Sequence, residues 1–327
     1  MAQDTGRSDR SRQGMPLTSV QAETLTRAGA RRSDTIPFEV LAIFGPTGAG
    51  KSAVAEALAD KLGTEVVSAD AMQAYRGLPI LTNQPERPTR LVGIWPLGHE
   101  GSVGGYQRLA QHEIDALVTS TGHAVVAGGT GLYLRAALAD LELPPAPAAG
   151  ARQVWERLYD EDPGRAHAEL VERDPRAAAQ VHQNDRRRVV RALELSDANA
   201  SLAPDEDRLW SEHTRLPSLI VGLDVPAPEL ERRIVSRTDA MFARGVVQEV
   251  LRAVAGPVSR TAEKALGLRE IASLPPREAR ERIVVRTRQY AAYQRKWMRR
   301  IPGLVTVDAT RPAVEVADAI LEVARAR

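Results

Sequence analysis

The chain predicts an α/β fold: a parallel sheet flanked by helices and interrupted once by an all-helical insert. Three observations carry this. Short apolar runs at residues 40–44, 64–70, 123–127, 218–225 and 304–308 alternate with stretches of helical period, as parallel strands and crossover helices do. The first run leads into a glycine loop, Gly45-Pro46-Thr47-Gly48-Ala49-Gly50-Lys51-Ser52, followed by Ala- and Leu-rich residues 53–62 that favour a helix. After a break at Leu143-Pro144-Pro145-Ala146-Pro147 the alternation stops, and residues 151–197 are helical in period throughout.

The loop matches G-x-x-x-x-G-K-[ST] in its required strand-loop-helix setting, so the sheet reads as P-loop NTPase-like. Backbone N–H groups would close around phosphate oxygens, Lys51 would add a point charge, and Ser52 would reach a Mg²⁺ ion. The loop does not say which phosphate compound binds, since kinases, NTPases and some transferases share it.

Composition narrows the class. With 327 residues, 43% of them hydrophobic, the chain can bury a full core. It has no cysteine, which excludes disulfides and thiol catalysis, and its six histidines lack metal-ligand spacing. No apolar run is long enough for a membrane span and no signal-peptide core is visible, so a soluble cytoplasmic protein is expected. Net charge is only +2, but arginines crowd into residues 186–191 and 280–300, which suits a polyanion.

Residues 1–35 are polar and aperiodic and read as a disordered tail, in which Arg27, Arg31 and Arg32 could touch nucleic acid nonspecifically. The catalytic core is expected over 36–142 and 216–327, with the insert at 143–215. The second strand ends on Asp70. In an open parallel sheet ligands sit beyond the strand carboxyl ends, so Asp70 is a chemical candidate; a helix N-cap is the alternative. Residues 76–105, rich in Pro and Gly, read as an active-site flap or a long loop with a possible strand at 91–95, and 106–118 as a helix. The third strand runs into Gly128-Gly129-Thr130-Gly131, a second close-approach turn. In the insert, Arg187 and Arg191 lie one turn apart beside Arg188 on a helix capped by Asn184 or Asp185, a phosphate-binding or a solvated face. After the fourth strand, Pro226 and Pro228 introduce a helix from Glu229 that continues through Leu251. Tyr290, Tyr293 and Trp297 on the basic helix 280–300 fall at i, i+3, i+7, an aromatic stripe for the core with Arg288, Arg295 and Arg299 facing outward. The alanine-rich C-terminus closes the domain as a helix.

Five stretches in order resemble the tRNA dimethylallyltransferases, or tRNA isopentenyltransferases: GPTGAGKS at Gly45, SADAMQAYRG at Ser68, GGTGLY at Gly128, NDRRRVVRALEL at Asn184, and the TRQY-to-QRKW run from Thr287 to Trp297. The resemblance implies transfer of a dimethylallyl group from its diphosphate to N6 of the adenosine 3′ of a tRNA anticodon. The loop, Gly45 to Ser52, would then hold a diphosphate leaving group, helped by Thr47, Lys51, Arg237 and Mg²⁺ at Ser52. Asp70 would be the general base. Asp70, Ala71, Met72, Gln73 and Thr130 would contact the extracted adenosine. Further tRNA contacts would come from Arg152, Arg187, Arg188, Arg191, Lys264, Gly267, Arg269, Gln294, Arg295, Trp297 and Arg299. The expected partners are tRNA and dimethylallyl diphosphate, and the expected state is a monomer.

The chain departs from the family's G-T-A-K-P, P-H-H-L, G-Y and K-R-Q-x-T-W patterns at residues 81–85, 90–95, Gly267-Leu268 and residues 292–297, which bears on the acceptor. An adenylate isopentenyltransferase, a P-loop small-molecule kinase and an inactive RNA-binding protein are the competing readings. The arginine-rich helices disfavour the first, the missing lid the second, and Asp70 beside an intact loop the third.

Overall fold

Five strands form one fully parallel sheet in the order β2-β3-β1-β4-β5: β1 Val40–Phe44, β2 Val66–Ser68, β3 Ala124–Gly128, β4 Ser218–Asp224 and β5 Val305–Asp308. The structure, a computed structural model, describes residues 36–143, 150–203 and 208–327. The expected tail with Arg27, Arg31 and Arg32, and residues 144–147 of the Pro-rich break, lie outside the described residues.

The central strand shows why the sheet is buried on both sides. Val40, Ala42 and Phe44 face a core shared with α2 (Val103–Thr121) and α3 (Gly131–Leu138). Leu41 and Ile43, one register off, face a second core under α1 (Lys51–Leu62) and α12 (Ala313–Arg325). A period of two with both phases apolar is what a covered parallel strand requires.

The helical insert contains α4 (Ala151–Glu161), α5 (Pro163–Arg173), α6 (Pro175–Gln180) and α7 (Arg186–Asp197). It has its own core, with Trp155, Tyr159, Leu170, Val189 and Leu193 at the centre. Asp162, Asp174 and Asp185 cap α5, α6 and α7 through their side chains. The outgoing and returning chains meet where the Arg215 N–H donates to the Leu138 carbonyl at 2.7 Å. Just beside them Arg135, fully buried on α3, donates to the carbonyls of Arg208, Leu209, Ser211 and His213.

The C-terminal half adds α8 (Ala227–Ala243), α9 (Val246–Val254), α10 (Leu268–Ser273) and the long α11 (Pro276–Met298). The flap is pinned to them by the buried Glu249 carboxylate, which accepts from the Ile80 and Leu81 N–H groups at 2.8 Å each.

Three expectations are corrected. Residues 91–95 do not form a strand: Leu91 and Gly93 have φ of 65° and 64°, and only isolated bridges, Val67 with Arg90 and Tyr75 with Trp95, remain. The helix expected through Leu251 breaks at Gly245, where φ is 90°. The aromatic stripe of α11 faces the core only in part: the fully buried positions are Ala279, Ile283, Val284, Thr287, Ala291 and Gln294, Trp297 packs half-buried against the core shared with α2 and α3, and Tyr293 is 53% exposed.

Candidate active site

The glycine loop leaves the carboxyl end of β1 and turns through Gly48 and Gly50, whose φ values of 87° and 89° would strain any side chain. Helix α1 then opens with no side-chain cap and no acidic residue in its first turn. Its free N–H groups and the positive end of its dipole therefore face the crevice unopposed, an arrangement suited to an anion. The Lys51 ammonium folds back onto the Gly45 and Pro46 carbonyls at 3.0 and 3.1 Å. Burial pushes its pKa down to about 8, against the pull of Asp70 and with the push of Arg237. The Arg237 guanidinium is also depressed by burial, and its Nε is buried with no partner. It is a donor in need of an acceptor.

Asp70 stands at the end of β2, two strands from the loop but at the same carboxyl edge of the sheet. Its Oδ1 accepts from the Met72 N–H at 3.0 Å, and residues 71–74 form a turn. The carboxylate thus closes an Asx turn and caps no helix. Thr130 comes from the second glycine turn and accepts from the Ala71 N–H at 3.4 Å. Asp70 is within electrostatic reach of Lys51, Arg237, Tyr106, Tyr133 and Tyr290. Burial pushes the Tyr133 phenol up to about 12 and raises Tyr106 and Tyr290 as well, so all three stay neutral beside the carboxylate. Tyr106 donates to the Ser68 carbonyl at 2.9 Å and stacks on Tyr133 with centroids 4.4 Å apart.

Tyr106 and Tyr133 are not singled out by the sequence. Tyr106 had only its place on a helical face as a signal, and Tyr133 sat inside GGTGLY without a partner to mark it. The tight second turn is explained by α11: a β-carbon on Gly129 would collide with the Gln294 amide, and one on Gly131 with the Trp297 indole.

The expected nucleic-acid residues divide. Arg152, Arg187 and Lys264 come together where the insert meets the core. Burial lowers the Lys264 pKa and the charges of Arg187, Arg152 and Arg260 add to that, while Glu100 opposes them. Arg260, 60% exposed and 3.3 Å from Glu156, is a member of this basic cluster that sequence reasoning missed. Arg188 and Arg299 are exposed, and Arg269 is exposed but paired with Glu263 at 2.7 Å. Trp297 continues an aromatic row, 4.8 Å from Trp210 and 6.4 Å from Tyr293, with Arg300 over Trp210.

Other members turn inward. Arg191 holds the fully buried Glu194 carboxylate at 3.3 Å, whose other oxygen is met at 3.4 Å by Arg152 from the edge of the basic cluster. Gln73 accepts from the Ser68 hydroxyl and donates to the Asn83 carbonyl, 2.9 Å each, and Ala71 is buried while Met72 packs on the core. Three more of the expected tRNA residues make their contacts within the protein. Gly267 is buried in a turn with φ of 100° under Leu81 and Ile283. Arg295 donates to the Val225 carbonyl at the end of β4. Gln294, 2% exposed, spends its amide on the loop itself.

Among the described residues no group of three His, Asp or Glu could cage a metal. Beside the apolar Val66, Pro85 and Ala127, the cleft next to the loop offers the polar groups of Ser52, Glu56, Ser68, Gln73 and Thr89, all oxygen or amide. That donor set fits Mg²⁺ held partly by substrate phosphates better than a protein-only cage.

A parallel sheet with a glycine loop at its carboxyl edge, a carboxylate at the same edge, and a basic, aromatic mouth defines an α/β protein with a P-loop-like, anion-binding core. Family models narrow this: that for IPP transferase matches residues 73–301, and that for isopentenyl transferase residues 38–89. The chain is 39% identical over 276 residues to the tRNA dimethylallyltransferase of Streptomyces coelicolor, covering 80% of this chain and 88% of that one. It is 37% identical over 305 residues to tRNA dimethylallyltransferase 1 of Mycobacterium marinum, covering 86% and 96%. Similar solved structures include the tRNA isopentenylpyrophosphate transferase of Bacillus halodurans, with TM-score 0.61 and 28% identity over 88% of this chain and 97% of that one. A eukaryotic dimethylallyltransferase acting on tRNA gives TM-score 0.67 and 26% identity over 83% and 74%. The chain belongs to the tRNA dimethylallyltransferase family and is a prenyltransferase.

Proposed function

We propose that this protein transfers the dimethylallyl group of dimethylallyl diphosphate to N6 of the adenosine 3′ of a tRNA anticodon. The observation that carries the reading is the meeting of Asp70 with Lys51 and Arg237 at one edge of the sheet. An adenine N6 amine is a weak nucleophile, because its lone pair is delocalised into the ring. Reaction needs help at both ends. At one end the N6 lone pair forms the new C–N bond and its proton passes to the Asp70 carboxylate. At the other the allylic C–O bond breaks, and the diphosphate leaves with the electron pair toward the loop N–H groups, Lys51 and Arg237. Mg²⁺ held through Ser52, with Glu56 one turn on, would add positive charge at the departing diphosphate.

The acceptor base is stacked in a tRNA loop and must be drawn out before N6 can reach the donor. Arg152, Arg187, Arg260 and Lys264 suit the backbone of such an RNA, and Tyr293 and Trp297 offer faces for exposed bases. A mononucleotide acceptor would need neither. We further propose that the protein works as a monomer in the cytoplasm; no helix of the described residues is long and apolar enough to cross a membrane.

The test is transfer of label from dimethylallyl diphosphate, offered separately with unmodified tRNA and with AMP. Label in tRNA supports the proposal, and label in AMP alone overturns it. Asp70→Asn should lower the rate by about 10²–10⁴ with pyrophosphate affinity kept.

A further inference from the structure

Gln294 is a neutral amide, 2% exposed, near the C-terminal end of the basic helix α11. Its Oε1 accepts from the Thr47 N–H of the glycine loop at 2.7 Å, and its Nε2 donates to the Gly129 carbonyl at 2.8 Å. Only this orientation of the amide is bonded; turned over, nitrogen would face N–H and oxygen would face carbonyl. Tyr290, one turn earlier, donates to the same carbonyl at 3.4 Å. One side chain on a helix near the C-terminus therefore ties together the two glycine turns that flank Asp70 and Lys51.

The bond to Thr47 has a second effect. An N–H of a glycine loop is ordinarily free for phosphate, and here it is committed to protein. The cradle has one donor fewer, and its back wall is fixed by α11. We propose that Gln294 is a positioning residue for the donor, setting the shape of the loop and so its affinity for diphosphate, without touching tRNA. This rests on the reading of the loop as a diphosphate cradle.

The experiment titrates inorganic pyrophosphate into the full chain without tRNA, then measures KM for each substrate. Gln294→Ala should weaken pyrophosphate about tenfold or more, and raise KM for the prenyl donor in parallel. KM for tRNA should stay within about threefold. Gln294→Glu supplies a readout that loss of fold would not give. Its ionised carboxylate opposes the Gly129 carbonyl, whereas its protonated form restores both bonds, so its pyrophosphate affinity relative to wild type should recover as pH falls.

Unchanged pyrophosphate affinity in both folded variants at every pH would overturn the inference, as would a rise confined to the KM for tRNA. If Gln294→Ala does not fold, the pH response of Gln294→Glu decides. A wild-type protein that ignores pyrophosphate would instead overturn the diphosphate reading, and this inference with it.

Discussion

Lys51 is the residue whose surroundings make the sharpest prediction. Burial holds its ammonium near pKa 8, so the free protein should lose pyrophosphate affinity as pH rises through about 8. Lys51→Met should bind weakly with no such step. The sign for stability is opposite. The unfolded chain keeps this proton up to the ordinary value of 10.5 and the folded chain releases it near 8, so the lysine costs most below pH 8 and its penalty fades between 8 and 10.5. Lys51→Met should therefore raise the melting temperature at pH 7 more than at pH 9.5, measured by calorimetry on the free protein.

At the scale of the element, α7 and α11 show that a basic helix is not one surface. Arg187 and Arg191 lie one turn apart and look equivalent in sequence, yet Arg191 is spent on buried Glu194 while Arg187 joins the cluster around Lys264. Arg187→Ala should weaken tRNA binding, lower the salt slope of binding by about 1, and cost less than about 0.5 kcal/mol of stability. Arg191→Met should cost about 1–3 kcal/mol in urea denaturation, because among the described residues the buried Glu194 then keeps Arg152 alone. The same contrast marks the limit of reading from sequence. The five strands and the glycine loop were legible because apolar runs and loop chemistry are local. The inward face of α11 was not, because Thr287 and Gln294 look like solvent residues, yet both are buried, and Gln294 is satisfied only by the distant Thr47 N–H and Gly129 carbonyl. The spacing of Tyr290, Tyr293 and Trp297 caught only part of that face, since Trp297 packs on the core and Tyr293 does not. So too the strand expected at 91–95 was apolar enough, but Leu91 and Gly93 take left-handed turns that no hydropathy pattern reports.

Over the whole molecule, α11 and Arg135 join parts that the chain order separates. Gln294 joins α11 to the loop after β1, and Arg135 joins α3 to the segment returning from the insert. Arg135→Met would remove the guanidinium from four part-buried carbonyls, of which only that of Arg208 keeps another side-chain donor among the described residues, the Ser211 hydroxyl. It should cost about 3 kcal/mol or more, seen as a lower urea midpoint with a change in tryptophan emission as Trp210 leaves Trp297.

The bond between Arg215 and Leu138 has a practical meaning for how such an enzyme could be rebuilt. Since the two stalks of the insert run side by side there, a short turn could bridge them and the five strands would still close. Arg135, then lacking its carbonyls, would need an apolar replacement. The excised bundle brings its own packed interior, so it could be exchanged for that of a relative with another RNA preference, leaving the prenyl-donor half as a common chassis.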